Sequence, residues 1–197
     1  MTFTTPEEKQ LWTAAVIKKE LRETERPGID GLIDAMEVGG FFTAPCSGSY
    51  HLAQPGGLAE HSLNVLNHAK ELNAALGAGI ADDTITIVAL LHDLGKMGDH
   101  GQPNYTENIL KSGKRSDAKP YVTNPALPYV DHEIRSAIIA RKFIQLTPEE
   151  EQAILWHNGL YGCFKYEISG KETPLYLVLH YADMWAARVT EAQEEAE

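Results

Sequence analysis

Apolar residues recur three or four positions apart along most of the chain, the spacing that lines one face of an α-helix. Leu11, Ala14, Ile17 and Leu21 form the inner stripe of a first predicted helix, which opens at Thr5-Pro6-Glu7-Glu8. Those four residues supply a capping hydroxyl, a proline whose missing N–H costs nothing in the first turn, and a glutamate that reaches back to the cap. The same start recurs at Thr147-Pro148-Glu149-Glu150 and, in part, at Thr173-Pro174. These are local capping solutions and do not indicate a duplicated domain. Ile29, Leu32, Ile33 and Met36 predict a second helix ending near Gly39-Gly40, and turn residues dominate from 41 to 57. One further helix carries Leu58, His61, Val65 and Leu72. Another, capped by Asp83 and stopped by Gly95, carries Ile85, Val88, Ala89 and His92.

Between residues 97 and 130 the pattern fails, and a structureless stretch of that length is usually a lid, a binding loop or a disordered insert. Helical spacing resumes with Ile134, Ile138 and Arg141, then Ala153, Ile154 and His157, and ends with Leu175, Leu179, Ala182, Asp183 and Ala186. A short hairpin arm over 165–169 is the one strand signal, which does not make a sheet. The expectation is a single-domain, all-α bundle. Its N-terminal helices, residues 1–40, pack on a core domain over 41–190, with a 97–130 loop or lid and a solvated acidic tail over 191–197.

Composition narrows the function. With 43% hydrophobic and 23% charged residues, the 197-residue chain can bury a core and is not disordered. A formal net charge of -11 repels polyphosphate chains at long range, which excludes an extended nucleic-acid track while leaving room for a local basic pocket. Cys46 and Cys163 lie far apart and form no CxxC, as expected of reduced thiols in a cytosolic protein. No basic start followed by an apolar run marks a signal peptide, and no apolar stretch is long enough to span a bilayer. The expected location is cytoplasmic, with no membrane partner.

His61, His92 and Asp183 each fall on the inward stripe of a predicted helix. A buried carboxylate needs a cation or strong donors, because desolvating its charge is expensive. One inward histidine is more often a core residue bonded to a carbonyl. Several on separate helices, beside aspartates, are how bundles assemble metal sites. His92 and Asp93 would point about 100° apart within a helix, yet at a helix end both reach the same point.

These residues sit in GGLAEHSLNV (56–65), IVALLHDLGK (87–96) and LHYADMWAARV (179–189). The chain resembles the HD superfamily of metal-dependent phosphohydrolases, with its H...HD...D signature. It resembles phage and bacterial HD hydrolases of unassigned substrate, and more distantly the HD domain of YhaM-type 3′-5′ exoribonucleases. The resemblance implies that His61, His92, Asp93 and Asp183 hold a first ion, with Asp93 bridging to a second. It places His132 and His157 as the further ligands of a binuclear site. The exoribonucleases tend to carry a His-His pair where this chain has His157-Asn158. Imidazole and carboxylate ligands suit Mn, Fe, Co, Ni or Zn, as one or two ions.

Asp93 and Lys96 are the expected catalytic residues. Lys96 is placed to neutralise phosphate, or alternatively to complement a helix C-terminus. His51 resembles a histidine of related proteins and is read as a substrate contact. His68 is expected to be structural, His180 to orient a ligand or pack, and His100 to have no role. Tyr105, Lys111, Lys114 and Arg115 would suit a lid closing on phosphate, although a solvated loop is the simpler reading. Trp12, Trp156 and Trp185 are expected in the core. The reading is hydrolysis of a phosphoester or phosphoanhydride of a small nucleotide. The alternatives are a YhaM-like exonuclease or a catalytically silent nucleotide-binding module.

Overall fold

The three predicted Thr-Pro helix starts are present, and the capping chemistry explains why. The computed structural model describes residues 3–161 and 166–194. Helix α1 (Pro6–Glu23) has Thr5 as N-cap, its hydroxyl accepting from the Glu8 N–H, while the Glu8 carboxylate reaches the N–H of Thr4. α6 (Pro148–Trp156) starts with a complete reciprocal box between Thr147 and Glu150, and α7 (Pro174–Trp185) with Thr173. Between them in the chain come α2 (Ile29–Gly39), α3 (Gly57–Leu76), α4 (Asp82–Leu91) and α5 (His132–Arg141). α2 stops at Gly40, which adopts φ 81°, a conformation glycine takes without strain.

The helices form one bundle. α3 packs on α1, α4 and α7, and α6 spans α4, α5 and α7. α4 is the central element, buried continuously from Ile85 to Leu91. No helix is long and apolar enough to cross a membrane among the described residues.

Several expectations need correction. Asp83 does not cap α4. The helix begins one residue earlier, and the Asp83 carboxylate pairs instead with Arg26 at 3.2 Å. Gly95 is not a C-terminal stop either, because α4 already ends at His92 and a 3-10 turn (Leu94–Met97) follows. A side chain at Gly95 would meet the His132 carbonyl at 2.4 Å and the Ser136 nitrogen at 2.9 Å. The glycine therefore lets α5 lie directly on the turn, where the Gly95 N–H donates to Ser136 Oγ at 2.8 Å. That contact brings the start of α5 to the end of α4.

Leu11 is 72% exposed, and Ile138 and Arg141 also face solvent. α5 turns inward a face that periodicity of apolar residues does not mark: Glu133, Arg135, Ser136, Ala137 and Ala140. Trp12 and Trp185 are exposed as well, while Trp156 packs against the core.

The 97–130 segment contains two antiparallel ribbons. β1 (Gly98–Asp99) pairs with β2 (Gln102–Pro103), and β3 (Tyr105–Glu107) with β4 (Tyr121–Thr123). Buried Arg135 anchors it from α5, donating to Asn104 Oδ1 at 2.9 Å and to the Pro128 carbonyl at 3.1 Å. Hydropathy cannot show such an anchor, since short ribbons carry little apolar alternation. Residues 166–170 form turns, while Lys165 of the expected arm, like Cys163 and the tail beyond 194, lies outside the described residues.

Candidate metal centre

Five helices deliver side chains to one point. His61 comes from the second turn of α3, His92 and Asp93 from the end of α4, His132 from the start of α5, His157 from the end of α6 and Asp183 from α7. His61, His92, Asp93 and His157 are buried; His132 and Asp183 are partly open.

The polar atoms fall into two groups. In the first, His61 Nε2 lies 3.3 Å from His92 Nε2, 3.1 Å from Asp183 Oδ1 and 3.6 Å from Asp93 Oδ2, and His92 Nε2 lies 3.5 Å from Asp93 Oδ2. In the second, Asp93 Oδ1 stands 3.2 Å from His132 Nε2 and 3.5 Å from His157 Nε2. Nitrogen and oxygen ligands bound at about 2.0–2.2 Å stand about 3.0–3.4 Å apart around one ion. The observed separations fit that requirement with small adjustment.

Two further observations test the fit. Asp93 Oδ1 is buried without a hydrogen-bond partner, a costly arrangement unless a cation occupies the space. The histidines are also oriented from behind. His92 Nδ1 donates to the Ala89 carbonyl and His157 Nδ1 to the Ile154 carbonyl, each at 2.8 Å. These carbonyls lack helical partners at a C-terminus, so the bonds satisfy them and direct both Nε2 lone pairs inward. His180, across α7, receives no group from the centre; its Nδ1 donates to the His157 carbonyl at 2.7 Å and holds that turn.

Electrostatics agree with a cation site. Burial opposes the charge on Asp93, yet Lys96 and His92 hold it well below the usual carboxylate range. Asp183 is likewise lowered, against burial, by the hydrogen bond and charge of His61. Burial also opposes a proton on His61, but the neighbouring Cys46, Asp183 and Glu191 outweigh it and raise its pKa well above the ordinary histidine value. A proton therefore competes with metal for His61. Metal affinity is expected to fall as the pH is lowered. Cobalt titrations at several pH values read this directly; an affinity independent of pH would contradict it.

Lys96 Nζ is 2.6 Å from Asp93 Oδ2 and lines a cleft of about 590 Å³ above the centre. Ser49, Tyr50, His51, Tyr161 and Arg188 line the same cleft. His51 Nε2 lies 3.3 Å from the sulfur of buried, free Cys46. Burial and the charges of His61 and Lys96 push His51 down to about 4, and burial pushes the Cys46 thiol up to about 11. Tyr105 is partly buried and feels the charge of Lys96, whereas Lys111, Lys114 and Arg115 are exposed, Arg115 stacking on Tyr121. His68 bonds Thr190 away from the centre, and His100 faces solvent.

The HD domain family model matches residues 58–183. The chain belongs to the HD domain family. The match spans more than half the chain and contains all six converging residues from His61 to Asp183. HD membership together with the His/Asp clusters marks a metal-dependent phosphohydrolase. No curated protein and no solved structure matched the chain in the other two comparisons.

Two buried carboxylates at the centre were not anticipated. Glu133 lies 3.2 Å from His132 Nδ1 and accepts from Asn158 Nδ2 at 2.6 Å. Asn158, where a second histidine stands in the exoribonucleases, thus braces the His132 side. Glu191 belongs to the segment read as a solvated tail, yet it is wholly buried and bonds His61. A glutamate in a run of glutamates carries no sequence signal for burial. His51 and Glu191 both fall outside the matched residues.

Proposed function

We propose that this HD protein hydrolyses a phosphoester or phosphoanhydride of a small nucleotide, and that Asp93 would contribute to the sites of two divalent transition-metal ions. One observation carries this reading: the two carboxylate oxygens of Asp93 face separate histidine-containing clusters. His61, His92 and Asp183 complete the first cluster, and His132 and His157 the second.

Charge explains why two ions suit the reaction. Asp93, Asp183, Glu133 and Glu191 crowd the centre, where Lys96 pairs with Asp93, in a chain of net charge -11. A phosphate entering the bare cleft would be repelled. One dication leaves those groups net negative, and two reverse the sign. When bound, such ions polarise phosphoryl oxygens and lower the pKa of water from 15.7 toward about 7.

The chain's own groups do the rest. Asp93 positions both halves of the centre. Lys96, tethered to Asp93, meets substrate phosphate from the cleft side. His51, held neutral at pH 7, offers a hydrogen bond at the entrance without adding charge. The cleft volume of about 590 Å³ lies within the range of small-molecule sites, favouring a mononucleotide over a polymer.

Elemental analysis of purified protein, with phosphate release across a nucleotide panel, tests the proposal. Close to two transition-metal ions per chain and turnover on at least one nucleotide are expected. A folded protein that takes up no metal overturns it. Bound metal without turnover on any phosphorylated compound indicates a binding module instead.

A further inference from the structure

We infer that Glu191 is a positioning residue for the metal centre: an anionic carboxylate, aimed by a π-helical turn, that fixes and strengthens His61 as a ligand. The inference rests on the metal site proposed above. Glu191 Oε1 lies 2.9 Å from His61 Nδ1 and 3.2 Å from Asn64 Nδ2. It is wholly buried, and its Oε2 has no hydrogen-bond partner, with His51 Nε2 3.8 Å away.

For stability alone this is a poor residue at a poor place. Its charge is desolvated and one oxygen is unsatisfied. A neutral side chain would pack there at lower cost. What the carboxylate accomplishes is specific to His61. It accepts a hydrogen bond from Nδ1–H, which leaves Nε2 as the lone-pair face toward His92, Asp93 and Asp183 and makes the imidazole more basic. A carboxylate behind a ligating histidine is a recurrent means of raising metal affinity.

The backbone has a local feature that aims it. Asp183 and Glu191 are eight residues apart, which on an uninterrupted α-helix leaves them about 80° apart. After α7 the chain passes through a π-helical turn, Ala186–Thr190, before a last α-helical turn, α8 (Glu191–Glu194). A π-turn takes in one extra residue, about 100° of rotation, so the two carboxylates come within about 20° of one face. Asp183 then meets Nε2 of His61 and Glu191 meets Nδ1 of the same ring.

The test is metal affinity of full-length Glu191→Gln and Glu191→Ala, measured by cobalt or zinc titration, beside the melting temperature of the metal-free proteins. Gln keeps an acceptor of the same shape and removes only the charge. Affinity is expected to fall about tenfold in Gln and up to about a hundredfold in Ala. Metal-free Glu191→Gln is expected to melt at or above the wild-type temperature. Wild-type affinity in folded Glu191→Gln would overturn the anionic role. Should both variants fail to fold, Glu191→Asp decides: it keeps the charge but withdraws the carboxylate from His61 Nδ1, and unchanged affinity would overturn the inference. Failure of the wild type to bind metal is a separate result, and it counts against the proposed function itself.

Discussion

Asp93→Ala is expected to bind neither ion tightly and to lose hydrolysis by at least about a thousandfold, roughly 4 kcal/mol of barrier. The side chain is almost fully buried, and each of its oxygens faces a different pair of histidines. Its two oxygens contribute one to each cluster, so one truncation opens both. Lys96 loses its partner at 2.6 Å in the same step and remains as a nearly buried ammonium. Asp93→Asn is the sharper variant, since it keeps the volume and removes the charge. Elemental analysis, turnover and circular dichroism on the same samples check the outcome. A folded Asp93→Ala protein retaining two ions and activity within tenfold of wild type would remove Asp93 from the centre of the mechanism.

The largest stability effect is expected far from that centre, at Arg26. Its guanidinium grips the Glu150 carboxylate with two hydrogen bonds, of 2.5 and 3.1 Å, and reaches Asp83 at 3.2 Å. Glu150 is wholly buried, while Arg26 keeps slight exposure. The charge of Glu150 raises the Arg26 pKa, outweighing burial. Removing one partner of a buried ion pair costs about 3–5 kcal/mol, because the other charge stays desolvated. Arg26→Met should approach the lower end of that range, since Glu150 still accepts the Thr147 N–H at 2.8 Å and the arginine is partly solvated. Urea unfolding measures the loss, and adding Glu150→Gln should recover part of it. A loss below about 1 kcal/mol would mean that water replaces the guanidinium, as it does for exposed pairs.

Much of this was legible from the chain itself where the signal is local. Thr5, Thr147 and Thr173 begin helices because a hydroxyl followed by proline and nearby backbone donors needs no distant partner. The motif residues His61, His92, Asp93 and Asp183 could be placed together because their spacing combines helical stripes with a family resemblance. Other features were not readable, for identifiable reasons. Gly95 resembles a helix stop and instead admits α5, which depends on where a distant helix lies. The inward face of α5 includes Glu133 and Arg135, which serve neighbours 25 to 40 positions away. Hydrophobic periodicity therefore assigned that face to solvent.

The sequence alone determined that the chain would be a helical bundle with His61, His92 and Asp183 turned inward, since periodicity and capping act over a few residues. Only the tertiary structure decided how those groups divide: one oxygen of Asp93 to each cluster, and carboxylates of Glu133 and Glu191 behind His132 and His61. Burial of a charge is set by what packs around it. For Glu191 that depends on a π-turn and on α3, 130 positions away at His61, and a run of glutamates contains no trace of either.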